Sequence, residues 1–382
     1  MALKKSDIPD AKVVIRPVAS TDVKQLDLLE KSTFETDRLS LRRFKHWIQA
    51  ANRIFLVADV NHELAGYGLV LLHKGTRLAR LYSLAVDQRF KGRGIGKQLL
   101  VALEKETGKN NRLYLRLEVA SDNQPAIALY KSLGYRVFRW ISDYYEDHRN
   151  ALHMQKRIRY LADNLIKRPI PWYQQTTEFT CGPASLIMAM ASLDKKRGMT
   201  QDEELDIWRE ATTIFMTSGH GGSHPIGLGL AARKRGFSVE VYLNQESPLF
   251  IDGVRSEDKK KIMIMVDQQF RAKAKMQGVH INKDEIDQQR IAHWLEKGKA
   301  VLILISTYRF DGRKAPHWVM ISGIDDQCLY LHDPDPAAEQ YNGFDCQYVP
   351  IAHADFNKMS IYGQTRLRTC IVLSGIHVRK VI

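Results

Sequence analysis

A glycine-rich loop between an apolar strand pattern and an amphipathic helix pattern constrains the fold of this chain most. The loop holds three glycines within five residues, Gly92, Gly94 and Gly96. Glycines let backbone N–H groups approach an anion closely, and the first turn of a helix adds N–H groups and a positive dipole end. Four basic residues surround the glycines: Arg89, Lys91, Arg93 and Lys97. The segment predicts a pyrophosphate site, although it has neither a Walker ending nor the Gly-x-Gly-x-x-Gly spacing of a dinucleotide site.

Strand and helix patterns continue on both sides of this loop. Apolar runs predict strands over 54–59, 66–73 and 78–86. Alternation over 112–119 predicts a half-buried strand that carries Glu118 on its polar side. The helix that follows has capping residues and a proline at its start and Gly134 at its end. This part of the chain therefore predicts a mixed domain of strands and helices.

Two motifs in this region resemble those of a known family. The loop Arg89-x-x-Gly92-x-Gly94 with its helix resembles the acetyl-CoA signature of the GNAT acetyltransferase superfamily. The run LEVASDNQPAIALYKSLGY at 117–135 is similar to the ribosomal-protein alanine N-acetyltransferases, which acetylate protein N-termini. The resemblance spans about residues 12–160. It implies a mixed central sheet with flanking helices, acetyl-CoA as cofactor, and a protein or peptide with a free amine as acceptor.

The resemblance also implies roles for individual residues. Glu118 matches the general base, Tyr130 matches the acid that protonates the departing thiolate, and Asn123 matches a contact to the cofactor arm. The rest of the implied cofactor site, which Tyr130 also borders, consists of Leu84, Val86, Arg89, Lys91, Gly92, Arg93, Gly94, Ile95 and Gly96. For each of these three residues a structural alternative stays open. In these alternatives Glu118 is a surface carboxylate paired with Arg116, Tyr130 is an aromatic packed in the core, and Asn123 is only a helix cap.

A second group of reactive residues lies further along the chain. Cys181 begins an apolar helix pattern, a position that favours the thiolate form of a cysteine. A buried strand is predicted over 300–306, followed by a hairpin of strands over 316–321 and 328–333. If the hairpin turn is centred on Asp325, His317 faces Asp333 directly across the strands. An aspartate beside a histidine orients the imidazole for base catalysis.

Gln175 completes this group because its amide is suited to donate to an oxyanion together with the Cys181 backbone N–H. The order Gln-x5-Cys-Gly, then His and Asp-Pro, resembles papain-like cysteine peptidases, in particular bacteriocin leader peptidases that cut after double glycine. The resemblance spans about residues 170–335. It implies Cys181 as nucleophile, His317 as base, Asp333 as orienting residue and Gln175 as oxyanion donor, with Gln174 as the alternative donor.

Composition places limits on the protein as a whole. Of the formal net charge of +14, +13 arises in residues 1–168, which hold 31 Lys and Arg against 18 Asp and Glu. Such a field favours anionic ligands, but no RNA-binding signature is present, so we do not expect nucleic acid. No apolar run is long enough to span a bilayer and no secretory signal is recognisable. We expect a cytoplasmic protein with a GNAT domain over 1–164 and a papain-like domain over 165–382, joined near the prolines Pro169 and Pro171.

The remaining features are weaker. His220 and His224 are predicted to lie in a loop and not to bind a metal. Cys328, Cys346 and Cys370 are predicted to be structural, and a charged helical stretch over 255–289 has no assigned role. The main hypothesis is a bifunctional enzyme whose two domains act on one polypeptide, one cutting it and one capping the new amine. The alternatives are an idle C-terminal module that presents a peptide and an acetyltransferase for small amines. Oligomeric state is not predicted.

Overall fold

A computed structural model represents the chain, which divides into two compact units, Met1–Tyr160 and Leu161–Ile382. The structure describes residues 13–159, 165–212, 215–216, 219–246, 248–251, 254, 256–312, 315–336, 343 and 345–376. The predicted domain boundary between residues 164 and 165 stays a prediction because 160–164 lie outside the described residues. No helix in the described part of the chain is long and apolar enough to cross a membrane.

The first unit is built around a sheet of seven strands in the order β1-β2-β3-β4-β5-β7-β6. Its strands are β1 Val13–Pro17, β2 Arg53–Val60, β3 Glu63–Leu72, β4 Leu78–Val86, β5 Tyr114–Ala120, β6 Arg136–Ile141 and β7 Ala151–Arg157. Its helices are α1 Val23–Thr33, α2 Leu41–Gln49, α3 Ile95–Lys109 and α4 Gln124–Ser132. The four strands predicted before and after the glycine loop are confirmed, with ends that differ by up to three residues.

Two apolar clusters cover opposite faces of this sheet. One contains the apolar face of α3, with Ile95, Leu99 and Leu103 almost fully buried. The other contains the apolar faces of α1 and α2, including Phe44 and Trp47. Burying a side chain of this size contributes about 2 kcal/mol relative to leaving it exposed. Helices on both faces therefore hold β4 and β5 in the middle of the unit.

The second unit also has a central sheet, in the order β12-β11-β17-β13-β14-β15-β16, with β8 paired to β14. The strands of this unit are β8 Ile166–Lys167, β9 Phe215–Met216, β10 Gly219–His220, β11 Phe237–Leu243, β12 His280–Asn282, β13 Ala300–Ser306, β14 Pro316–Ile324, β15 Cys328–His332, β16 Val349–Ala352 and β17 Thr369–Ile376. Its helices are α5 Cys181–Leu193, α6 Gln201–Ala211, α7 Pro225–Lys234, α8 Glu257–Gln277, α9 Gln288–Glu296, α10 Tyr308–Asp311 and α11 His353–Met359.

Continuous apolar runs form the centre of this second sheet. The strand predicted over 300–306 is confirmed as β13, and the helix predicted to begin at Cys181 is confirmed as α5. Helix α5 packs over β13 and β14, where the Ser185 hydroxyl donates to the Trp318 carbonyl at 3.0 Å. The charged stretch predicted to be helical forms α8, and its apolar residues Met263 and Phe270 are buried. This arrangement brings Cys181 to the edge of the core, at the start of a buried helix.

Candidate active sites

The glycine loop forms the start of helix α3 in the first unit. Gly94 caps the helix with φ of 71°, and Gly92 has φ of 82°, a region that residues with a Cβ rarely adopt. Open space surrounds both glycines, so the loop backbone is accessible. The first N–H groups of α3 have no acceptor inside the helix. The loop therefore fits the pyrophosphate of a cofactor, as an anion cradle requires.

The basic side chains of this loop differ in their contacts. Arg89 lies 2.9 Å from Asp87 and 3.1 Å from Glu63, so its charge is shared with two carboxylates. Arg93 stacks over the Phe90 ring and, like Lys91, is exposed. That these side chains contribute to anion binding stays a prediction. The loop backbone, in contrast, already has a conformation that can bind an anion.

Strands β4 and β5 run parallel but pair over only three residues. Their register joins Leu78 to Tyr114 and Arg80 to Arg116 at its two ends. Beyond Arg80 the two strands separate, so that Leu84 and Val86 on β4 are not registered with β5. Parallel strands that diverge leave backbone groups for another partner. The opening lies directly before the glycine loop and fits an extended cofactor arm.

Glu118 lies on β5 just beyond the last paired residues and contacts Arg80. The Arg80 Nε donates to Glu118 Oε2 at 2.9 Å, and Nη2 lies 2.8 Å from the same oxygen. The Glu118 side chain is 7% exposed and the Arg80 side chain is 12% exposed, so Glu118 is a buried carboxylate rather than a surface one. The alternative in which Glu118 pairs with Arg116 at the surface is wrong, because Arg116 is buried and donates to Gln155 at 2.9 Å.

His153 and Tyr144 border the same carboxylate from β7 and the loop before it. His153 is registered directly opposite Glu118 and is fully buried. Burial lowers the pKa of His153 to about 4, although the neighbouring Glu118 opposes that shift. The Tyr144 ring lies edge-on to the His153 ring at 5.5 Å, and its hydroxyl accepts from Arg80 at 3.2 Å. These residues and Arg80 escaped sequence reasoning because only the pairing of distant strands brings them together.

Tyr130 and Asn123 are both carried by helix α4. Tyr130 is 7% exposed, and burial, followed by the charge of Glu118, raises the pKa of its phenol. The phenol therefore holds its proton firmly. The Asn123 side chain accepts from the Ala126 N–H at 3.2 Å, so it caps the helix that presents Tyr130. The capping role is thus confirmed, and the contact to a cofactor stays a prediction.

Cys181 begins helix α5 in the second unit and is partly exposed, as a nucleophile requires. Gly182 follows it because there is no room for a side chain: a Cβ at that position would lie 2.9 Å from the Ser223 Cβ. The other cysteines are free thiols, and all three are buried: Cys328, Cys346 and Cys370. Their prediction as structural residues agrees with this burial, so Cys181 is the accessible thiol.

His317 lies on β14 next to Cys181 and Asp333. Its Nε2 lies 2.7 Å from the Asp333 Oδ1. Burial alone would lower the pKa of His317, but the carboxylate of Asp333 and the hydrogen bond to Cys181 raise it well above its ordinary value. An imidazolium beside a sulfur stabilises the thiolate. The three predicted residues therefore lie together, with Asp333 hydrogen-bonded to His317 and Cys181 close enough to affect the pKa of His317.

The predicted hairpin register, however, is wrong by two to three residues. Met320 pairs with His332 and Ile324 with Leu329, with a bulge between Ile321 and Gly323. Strand β15 ends at His332, so Asp333 is not a cross-strand partner of His317. Asp333 reaches the imidazole from the loop after the strand, where its carbonyl accepts from Trp172 Nε1 at 2.7 Å. The turn is centred between Asp326 and Gln327 rather than on Asp325, which displaces the nearest pairs by three residues, and the bulge reduces this displacement to two beyond it.

Gln175 lies against this same loop. Its backbone N–H donates to the Pro334 carbonyl at 2.9 Å, and its side chain is 7% exposed. Among the described residues its Oε1 has no hydrogen-bond partner. The neighbouring Gln174 is exposed. The contact with Pro334 favours Gln175 over Gln174 as the side chain that belongs to the Cys181 site.

The two histidines considered as metal ligands behave differently. His224 is fully buried and caps α7, with its Nδ1 accepting from the Ile226 N–H at 3.1 Å. Its Nε2 lies 3.0 Å from the Asp267 Oδ1 on α8. His224 thus lies in the loop directly before α7, where it is buried and held by these two contacts. His220 belongs to β10, and its side chain lies outside the described residues. Within the described ranges no group of three potential ligands surrounds a metal position.

A cavity of about 400 Å³ adjoins Cys181. Three loop segments, the start of α5, α8 and the sheet supply its walls, which are mainly apolar. The lining includes Cys181, Ser223, Phe250, Met263, Trp318 and Tyr362. A volume of this size is typical of pockets for small molecules or for one or two amino-acid side chains. The second unit therefore combines an accessible thiol with an adjacent cavity.

These features define a two-domain α/β protein with an anion cradle in one unit and a cysteine–histidine–aspartate group in the other. Residues 22–135 match the Acetyltransferase (GNAT) family, and residues 170–374 match the Peptidase_C39 like family. The chain belongs to the Peptidase_C39 like family, whose match covers more than half of it, and carries an N-terminal GNAT acetyltransferase domain. The first unit is an acyltransferase whose cofactor is acetyl-CoA.

Individual relatives match the first unit. An uncharacterized N-acetyltransferase of Methanocaldococcus jannaschii is 32% identical over 146 residues, which cover 38% of this chain and 92% of the relative. An N-alpha-acetyltransferase of Sulfolobus acidocaldarius is 27% identical and covers 37% of this chain and 89% of its own length. Among solved structures, the ribosomal-protein-S18-alanine N-acetyltransferase from Escherichia coli is 26% identical, with a TM-score of 0.37, and covers 40% of this chain and 98% of that one.

Proposed function

We propose that the first unit acetylates the free amine of a protein or peptide. The buried carboxylate of Glu118, at the opening between β4 and β5, is the observation that carries this proposal. Acidic residues beside a cofactor site supply the base that acetyl transfer to an amine needs. The similarity to an N-alpha-acetyltransferase supports an α-amine as acceptor.

Different residues of the first unit carry out the separate steps of this reaction. Acetyl-CoA supplies an acetyl thioester when it is bound. The loop amides around Gly92–Gly96 and the start of α3 bind its pyrophosphate. The Glu118 carboxylate accepts a proton from the acceptor nitrogen, directly or through a water. The Tyr130 hydroxyl gives a proton to the departing sulfur; its raised pKa keeps the phenol protonated at neutral pH but makes it a weaker acid.

The acceptor class is tested with matched amines. The full chain is incubated with acetyl-CoA and peptides that have a free N-terminus, the same peptides with a blocked N-terminus, and spermidine. We expect mass spectrometry to find acetylation of the free α-amine only. Acetylation of spermidine in preference to every peptide would contradict a peptide acceptor and support the small-amine alternative.

We propose that the second unit is a cysteine enzyme that cleaves or transfers amide bonds. The 2.7 Å contact between His317 and Asp333, beside Cys181, carries this proposal. The Cys181 thiolate attacks the carbonyl carbon, and the amine leaves with a proton from the His317 imidazolium. The resulting thioester is then attacked by water or an amine, whose proton returns to His317. The Cys181 backbone N–H and the Gln175 side chain stabilise the oxyanion.

The thiol is tested by alkylation with iodoacetamide at pH 6, with the labelled sites read by mass spectrometry. An ordinary thiol reacts slowly at this pH, whereas a thiolate beside an imidazolium reacts rapidly. We expect rapid labelling at Cys181, while the buried Cys328 and Cys370 serve as internal references. His317→Ala and Asp333→Asn should slow labelling at Cys181 by about tenfold or more. Equal, slow labelling of all sites would instead favour an idle, peptide-presenting module.

We further propose that the two activities act in sequence on one polypeptide. Amide hydrolysis releases a free α-amine, which is the acceptor proposed for the first unit. A peptide with a blocked N-terminus is incubated with the full chain and acetyl-CoA. We expect the C-terminal product to carry an acetyl group on its new N-terminus. Cleavage without acetylation of any product would separate the two activities.

A further inference from the structure

The cavity beside Cys181 carries an inference about the substrate of the second unit. Its apolar lining includes the side chains of Phe250, Met263, Leu304, Trp318 and Leu367. Apart from the proposed Cys181 thiolate, none of its lining residues, all of which belong to the described part of the chain, carries a formal charge. A charged side chain placed here would lose its hydration without a compensating partner. The lining therefore selects for an apolar group.

The size of the cavity also limits what fits. A space of about 400 Å³ holds a leucine, methionine or phenylalanine side chain with part of the neighbouring backbone. A glycine pair at the scissile bond would leave most of this space empty. An apolar cavity that stays empty in a complex forfeits the transfer free energy that a buried side chain would contribute. The geometry therefore disfavours a substrate that presents only glycine.

Ser223 supplies an independent indication that a ligand binds here. It lines the cavity and is 6% exposed, yet its hydroxyl has no hydrogen-bond partner among the described residues. The Ser223 backbone is fixed, because its carbonyl accepts from Trp318 Nε1 at 3.2 Å and its Cβ packs against Gly182. Buried polar groups are nearly always satisfied, so an unpaired hydroxyl at a binding surface calls for a partner from outside the chain.

We propose that this cavity binds a bulky apolar residue that flanks the scissile amide, and that the Ser223 hydroxyl hydrogen-bonds the substrate backbone. This assignment rests on the proposed cysteine enzyme and names its substrate class. The residue next to the cleaved bond is leucine, methionine or phenylalanine in size. Binding it excludes water from the wall beside Cys181 and holds the carbonyl carbon near the sulfur.

The test uses the full chain and a peptide library made by digesting denatured protein with a protease. Mass spectrometry identifies the residues on both sides of each cleavage that is lost in Cys181→Ala. We expect leucine, methionine and phenylalanine to be enriched at least tenfold over glycine at one of the two flanking positions. Cleavage between glycines, or beside charged residues, would overturn the inference. The inference would also be overturned if the chain hydrolysed N-lauroylglycine, a fatty acyl amide, but cleaved no peptide.

Two variants probe the cavity itself. Gly222 lines it, and open space surrounds the position of a Cβ there, so Gly222→Leu narrows the cavity without a clash. We expect the rate ratio of a phenylalanine peptide to its alanine analogue to fall at least tenfold. Gly198→Leu, at an exposed site outside the cavity, is the matched control and should keep the ratio. Ser223→Ala should raise KM about fivefold through the lost hydrogen bond.

Failure of this inference differs from failure of the cysteine enzyme. Rapid alkylation of Cys181 by iodoacetamide, combined with no apolar preference in the library, would overturn the cavity assignment alone. Slow alkylation and no cleavage would overturn both proposals. If Gly222→Leu leaves the preference for apolar residues unchanged, the apolar subsite lies outside this cavity. That result would contradict the assignment of the cavity.

Discussion

Arg80 and Glu118 form a buried ion pair between two parallel strands, with both Arg80 contacts to the same oxygen, Glu118 Oε2, at 2.9 and 2.8 Å. The pair lies where β4 and β5 begin to separate. Because an arginine and its partner fix each other's geometry, Arg80 positions the carboxylate proposed as the base. The two residues therefore have separable effects on catalysis and on stability.

Glu118→Gln tests the base. Glutamine keeps the size of the side chain and still accepts from Arg80, but it cannot take a proton from the amine. We expect kcat for peptide acetylation to fall about 100-fold, as general-base catalysis predicts, with little change in KM for acetyl-CoA. Steady-state kinetics with a free-amine peptide measure both. A variant with unchanged kcat would remove Glu118 from the mechanism.

Arg80→Met tests the partner. The substitution leaves a buried carboxylate without this guanidinium, so we expect the free energy of unfolding to fall by about 3 kcal/mol. Thermal unfolding of the full chain, followed by calorimetry, measures the loss. The double variant Arg80→Met with Glu118→Gln should recover part of it, because it has no unpaired carboxylate at position 118. If the double variant is no more stable than Arg80→Met alone, the stability lost in Arg80→Met does not come from the unpaired Glu118 carboxylate.

Tyr130→Phe removes only a hydroxyl. The phenylalanine ring keeps the contact with Tyr135, whose ring centre lies 5.7 Å away, so the fold should be preserved. We expect kcat to fall about 100-fold because the departing sulfur loses its proton donor. An acyl donor with a more acidic thiol leaving group should be less affected by the substitution. Equal losses with both donors would contradict a role as acid.

Gln175→Ala and Gln174→Ala distinguish the two candidate oxyanion donors. Gln175 is held against Pro334 and is buried, whereas Gln174 is exposed. Removing one oxyanion donor costs about 100-fold in kcat, so we expect that loss for Gln175→Ala in peptide cleavage. Gln174→Ala should stay within about twofold of the parent chain. The opposite order would assign the role to Gln174.

His153 gives the first unit a predicted pH dependence of stability. Its pKa is about 4 in the folded protein and about 6.5 in an unfolded chain. Between these values the unfolded state binds more protons, so stability is retained above about pH 6.5 and falls as pH drops towards 4. The difference amounts to about 3 kcal/mol. His153→Gln, which cannot titrate, should reduce the drop in unfolding temperature between pH 7 and pH 4.5.

Local patterns predicted the elements of both units well. Continuous or alternating apolar residues identified β4 and β13 with their observed ends, because burial on one or both faces determines such runs. The start of α5 at Cys181 followed from the contrast between polar residues before it and an apolar helix after it. These properties depend on neighbours along the chain and can be read without knowledge of the fold.

Contacts between distant segments were less accessible. The hairpin register was missed because the turn is centred between Asp326 and Gln327 rather than on Asp325, as the pairing of Ile324 with Leu329 shows. The contact of His317 with Asp333 was nevertheless anticipated, because a loop beyond the strand restores the proximity that the register loses. Arg80 was missed because it meets Glu118 only through pairing of strands separated by a whole helix. The buried contact of His224 was not predicted because its partner, Asp267, reaches it from α8.

The separation of β4 from β5 has a thermodynamic consequence. Strands that part before their ends give up ladder hydrogen bonds that a ligand is able to replace, so the first unit gains stability from its cofactor. At a concentration of 100 times the dissociation constant, a bound ligand adds about 2.7 kcal/mol to the folded state. The lifetime of this unit towards proteases would then rise and fall with the supply of acetyl groups in the cell.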